Sequence, residues 1–177
     1  MINILKQINN KLCMDSIDKF NKLSKTEFIS IFGNIFEKTE WIAERCYESK
    51  PYNNLDELIL KMMKIFENTE KEKHLEILNS HPDLAVEKKL TKDSKNEQKN
   101  ASLNQCTDKE FIEFKKLNEE YKKKFGFPFI IAVKGKNKEE ILNSFRQRIT
   151  NNINLEFEEA KKQVKKIANF RLSEIIK

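Results

Sequence analysis

Apolar residues return at helical spacing along almost the whole of this chain, and that periodicity confines it to an all-α fold. Ser24-Lys-Thr-Glu27 is a capping-box sequence, and Phe28, Ile31, Phe32, Ile35 and Phe36 follow it as one i, i+3, i+4, i+7, i+8 stripe. A short helix carrying Trp41, Ile42 and Cys46 must stop before Pro51. Asn54 can cap a third helix, with Leu55, Leu58, Ile59, Met62, Met63 and Phe66 on its inner face. A fourth covers about 72–80 and Pro82 ends it. Thr107-Asp-Lys-Glu110 opens a fifth with the stripe Phe111, Phe114, Leu117 and Tyr121, broken at Phe125-Gly-Phe-Pro128. Two more occupy about 138–150 and 154–176. The run Phe129, Ile130, Ile131, Ala132, Val133 is short, apolar and bounded by Pro and Gly, so it reads as a buried extended segment. The expected architecture is a single-domain, compact all-α helical bundle over residues 1–177, with that one internal extended stretch.

Composition removes several function classes. With 38% hydrophobic residues and 13 Phe the chain can bury a core, unlike a disordered one. Its glycines, Gly33, Gly126 and Gly135, are too few and too scattered for the phosphate loop of a dinucleotide or nucleoside-triphosphate enzyme. Cys13, Cys46 and Cys106 are dispersed and odd in number, so reduced thiols are expected rather than a zinc site or a disulfide framework. No stretch approaches the ~20 apolar residues of a membrane span. Residues 1–12 alternate apolar with polar rather than forming a secretory leader, and Ile175-Ile176-Lys177 is not a peroxisomal signal, so a cytoplasmic location is expected. The net charge of +6 comes from lysines interleaved with glutamates, a solvated-face pattern. Neither a nucleic acid nor a membrane is expected as a partner.

Four polar positions could carry chemistry. His74 and His81 stand seven residues apart, roughly 10 Å along a helix, too far to share a metal ion. His74 lies in a run of charges and is expected at the surface. His81 precedes Pro82 and must close its helix, where the helix dipole favours imidazolium; it suits a proton shuttle, or else a structural turn. Arg171 shares the apolar stripe of Ala160, Val164, Ile167, Ala168 and Ile175, so it must meet either a structural carboxylate or an anionic ligand. A solvated ligand pocket is the expected answer, with Arg171→Met neutral or stabilising. Ser94-Lys-Asn-Glu97 has capping-box spacing, which on spacing alone makes Glu97 a cap, though helix N-termini also bind ligand oxygens. The Phe129–Val133 backbone could serve a flat, amide-rich ligand or form a core strand.

Six stretches then occur in order: Phe32-Gly-Asn-Ile-Phe-Glu-Lys-Thr-Glu-Trp-Ile-Ala-Glu44, His81-Pro-Asp-Leu-Ala85, Ser94-Lys-Asn-Glu-Gln98, Leu117-Asn-Glu-Glu-Tyr121, Phe125-Gly-Phe-Pro-Phe129 and Lys166-Ile-Ala-Asn-Phe-Arg-Leu172. Together they resemble the 2-oxo-4-hydroxy-4-carboxy-5-ureidoimidazoline (OHCU) decarboxylase family over about residues 20–177. The resemblance implies an all-α, cofactor-free, commonly homodimeric enzyme that turns OHCU into (S)-allantoin and CO2 in urate degradation. It implies catalytic roles for His81, Glu97 and Arg171. It implies substrate contacts from Pro82, from Ser94, Lys95, Asn96 and Gln98, and from Phe129, Ile130, Ile131, Ala132 and Val133. The chain departs from the family at Ser102, where glycine is usual, in a shortened stretch between His81 and Ser94, and at Val86, where glycine is frequent. A catalytically degenerate member acting as a structural or binding protein is the alternative.

Overall fold

The computed structural model describes residues 17–85 and 91–176. The expectations for residues 1–12, Cys13 and Val86 lie outside them. Residues 17–22 are helical and precede α1 (Lys25–Phe32), α2 (Glu40–Tyr47), α3 (Leu55–Glu67), α4 (Lys71–Ser80), α5 (Lys92–Asn100), α6 (Asp108–Phe125), α7 (Lys138–Arg148) and α8 (Ile153–Ile175). A 3-10 turn, Leu103–Gln105, links α5 to α6. Among the described residues no strand occurs and no helix is long and apolar enough to cross a membrane.

Both capping boxes form, Ser24 with Glu27 on α1 and Thr107 with Glu110 on α6, and Asn137 with Glu140 adds a third on α7. Asn54 accepts from the Glu57 N–H at the start of α3. Each such cap stabilises its helix by about 1 kcal/mol.

Three local expectations change. The stripe from Phe28 to Phe36 is not one helix: α1 stops at Phe32, and a turn carries Ile35 and Phe36 into the core at 2% and 1% exposure. That turn contains two consecutive left-handed residues, Glu37 (φ 49°) and Lys38 (φ 52°). Secondly, His74 is buried, its ring edge-on to Phe157, because it falls on the inner face of α4 with Ile77 and Leu78. Thirdly, the α6 stripe begins at Phe114, since Phe111 is exposed.

The described residues gather into two compact units: those up to Glu70 with Asn169 onward, and Lys71–Ala168. In the first, α1 packs on α2 and α2 on α3, around Phe28, Phe32, Leu58, Met62 and a stacked Phe36–Phe66 pair. In the second, the Tyr121 ring is met by Phe125, Phe127, Phe129 and Phe145. Burying each such ring contributes about 1.5–3 kcal/mol. Phe129–Val133 is buried throughout and takes neither helix nor strand, so the core-strand reading is set aside.

Candidate active site

His81 sits where α4 ends, because Pro82 disfavours helical backbone in the residue before it. Its ring is buried, and Nδ1 lies 2.9 Å from the Ile77 carbonyl oxygen. A carbonyl only accepts, so Nδ1 carries the proton of that bond. The residues that follow are held one after another. Gln98 of α5 donates through Nε2 to the Asp83 carbonyl and accepts through Oε1 from the Ala85 N–H, both at 3.1 Å. Asn118 of α6 donates through Nδ2 to the Leu84 carbonyl at 2.9 Å. Lys122 pairs with the Asp83 carboxylate at 2.8 Å. Pro82 itself is half-buried.

The α5 cap is Thr91, whose side chain accepts from the Ser94 N–H; Ser94 therefore lies inside the helix and cannot be its cap. This corrects the capping reading of Glu97: the Ser/Thr spacing repeats three residues earlier, and the earlier residue wins. Ser94 and Gln98 form the buried face of α5, Glu97 is half-buried beside them, and Lys95 and Asn96 face solvent. Gln98, expected to touch substrate, has both ends of its amide on the loop behind His81.

The Phe129–Val133 segment is gripped from α7 and α8. Arg148 Nη1 donates to the Ile130 carbonyl at 2.8 Å, and Gln163 Oε1 accepts from the Ala132 N–H at 3.0 Å. Glu156, fully buried, receives Arg148 and the Tyr121 hydroxyl on Oε1 and Asn151 on Oε2. Burial, and then the bond to Glu156, raises the Tyr121 phenol well above its ordinary value, so it stays a donor. Among the described residues no three of His, Cys, Asp and Glu converge as a metal ion would need.

Arg171 belongs to the first unit. It is 5% exposed, and its Nη1 donates to the Asn34 carbonyl while Nη2 pairs with Glu37, both at 2.8 Å. The expected solvated pocket is corrected: the guanidinium faces a structural carboxylate that is itself 0% exposed. Sequence reasoning missed Glu37, Asn118, Arg148, Glu156 and Gln163. Three of these carried a readable signal. Asn118 lies between Phe114 and Tyr121, and Glu156 and Gln163 share the stripe of Ala160 and Ile167, the same polar-on-apolar pattern that marked Arg171.

The family model described as OHCU decarboxylase matches residues 21–173. A uric acid degradation bifunctional protein of Bacillus sp. (strain TB-90) is 41% identical over 164 residues, which cover 93% of this chain and 33% of that one. This chain thus spans about a third of that relative's length. A 2-oxo-4-hydroxy-4-carboxy-5-ureidoimidazoline decarboxylase of Haloferax volcanii is 36% identical over 159 residues, covering 90% of this chain and 95% of that one. A crystal structure of OHCU decarboxylase in the presence of (S)-allantoin matches with a TM-score of 0.69 at 26% identity, over 81% of this chain and 95% of that one.

Proposed function

The chain belongs to the OHCU decarboxylase family, and from that premise we propose that it converts OHCU to (S)-allantoin and CO2 in urate degradation. The observation that supports the reading beyond the family is His81: Nδ1 is tied to the Ile77 carbonyl, which favours Nε2 as the atom that handles the proton.

In the reaction the bond from C4, which also carries the hydroxyl, to the carboxylate breaks, CO2 leaves, and the electron pair moves into the C4–C5 bond as the adjacent C5=N bond of the ring takes up charge on its nitrogen. That ring C=N unit delocalises the pair, so the substrate itself supplies the electron sink that a cofactor would otherwise provide. The 4-hydroxyl becomes the C4 carbonyl of allantoin as its proton passes to that ring nitrogen, and His81 delivers a proton from Nε2 to one face of C5, the ureido-bearing carbon, so a single face gives a single enantiomer. Glu97 holds the 4-hydroxyl and balances the charge of the imidazole. The role of Arg171, holding an anionic or carbonyl oxygen of the substrate, rests on the family pattern. Pro82, Ser94, Lys95, Asn96 and the Phe129–Val133 backbone complete the binding surface, and Gln98 holds the loop behind His81. A cytoplasmic homodimer, with residues 1–177 as one domain, completes the proposal.

The test is freshly generated OHCU with chelator present, followed by circular dichroism. Optically active allantoin should appear faster than the spontaneous racemic product. Racemic product at the background rate overturns the reading and leaves a structural or binding member of the family.

A further inference from the structure

The Phe129–Val133 run is a buried stretch of main chain with no partner strand and no helical ladder. Its course is therefore set by whatever side chains satisfy its polar groups. The Lys136 N–H closes its end on the Val133 carbonyl at 3.0 Å, and among the described side chains Arg148 donates to the Ile130 carbonyl and Gln163 accepts from the Ala132 N–H. Both are braced in turn. Arg148 is locked by the buried carboxylate of Glu156 and lies 4.5 Å above the Phe129 ring, itself stacked on Phe145. Gln163 Nε2 donates to Glu159 Oε1 at 2.7 Å, which fixes which end of the amide faces Ala132. Arg148 and Gln163 thus restrain the same five residues from two helices. We propose that Arg148 and Gln163 are positioning residues: they set the orientation in which the Phe129–Val133 backbone meets the ureido and ring amide groups of the substrate. The inference rests on the proposed function, in which this segment contacts OHCU.

Misplacing a binding group by a small distance weakens every state that uses it, so the loss falls on KM and spares kcat. Gln163→Met keeps the volume, adds no charge and removes the acceptor for the Ala132 N–H. It should raise KM for OHCU and the inhibition constant of (S)-allantoin about tenfold, with kcat within about threefold of the parent. A modest fall in melting temperature accompanies any orphaned buried N–H, so melting does not decide the matter. Rescue does. The exchange variant Glu159→Gln with Gln163→Glu restores an acceptor for Ala132 and a donor–acceptor pair between the two positions, and should return KM to within about twofold of the parent. A Gln163→Met protein with parental KM, or an exchange variant that melts like the parent but keeps the raised KM, overturns the inference and leaves the decarboxylase reading standing. A parent protein that neither turns over OHCU nor binds allantoin overturns both.

Discussion

Each unit of the described chain buries an arginine against a glutamate, and the two pairs are built by opposite means. Arg148 and Glu156 are eight residues apart, with the carboxylate in the first turn of α8, where the helix dipole favours an anion. Tyr121 and Asn151 add further donors. Arg171 and Glu37 are 134 residues apart, and that glutamate sits on a non-helical turn between α1 and α2 at φ 49°. Left-handed backbone in a residue other than glycine costs about 1–3 kcal/mol. A pair assembled locally, on regular structure, serves as architecture for the chain around it. A pair that depends on a distant, strained turn is held at a cost in stability, and such costs concentrate where a protein needs a group at one place.

That contrast is most exposed at Arg171. Arg171→Met should abolish nearly all turnover and destabilise the fold by about 3–5 kcal/mol, because the fully buried Glu37 loses its ion pair with Arg171. Adding Glu37→Gln should recover most of the melting temperature and none of the turnover. A single variant that melts like the parent would show that the pair has no structural weight. The next largest effect is expected at Glu97, a carboxylate outside both pairs. Glu97→Gln should melt close to the parent and lose at least about a hundredfold in turnover, since it removes the charge but not the shape. Retained turnover would return Glu97 to a structural role. The smallest effect calibrates the strain itself. Ser102 is left-handed at φ 58°, so Ser102→Gly should stabilise by about 1 kcal/mol with unchanged kinetics. A destabilised variant would mean that left-handed turns here are cheaper than the contrast between the two pairs requires.

Much of the fold was legible because its signals are local. The boxes at Ser24 and Thr107, the Asn54 cap and the helix stop at Pro82 each lie within four residues of what they control. The same locality misled at Ser94, where two capping patterns overlap and only packing, which buries Ser94, selects Thr91. The surface expectation for His74 fails because it rested on the charged run Glu70–Lys73 before it, whereas Ile77 and Leu78, one helical turn after it, are buried and set the inner face of α4. The candidate site was legible as residue types and illegible as partnerships. Arg171 announced that it needed a counter-charge, but nothing near it in the chain pointed to Glu37. Asn118 and Gln163 bond to main-chain atoms, which leave no mark on a sequence.

That last point reaches further at the loop behind His81. The imidazole leans on the Ile77 carbonyl, and the grip on the following residues falls on the Asp83 and Leu84 carbonyls and the Ala85 N–H. Main-chain atoms are present whatever the codon says. Positions 77 and 84 can therefore drift through other apolar residues over evolutionary time without disturbing the imidazole's tautomer or the path of the loop. The two amides that do the gripping have no such latitude, since the acids that differ from them by one substitution cannot donate to a carbonyl once ionised. Mutational tolerance around His81 is thus inverted: its immediate walls are permissive, and its fragility lies one layer out, at Gln98 and Asn118.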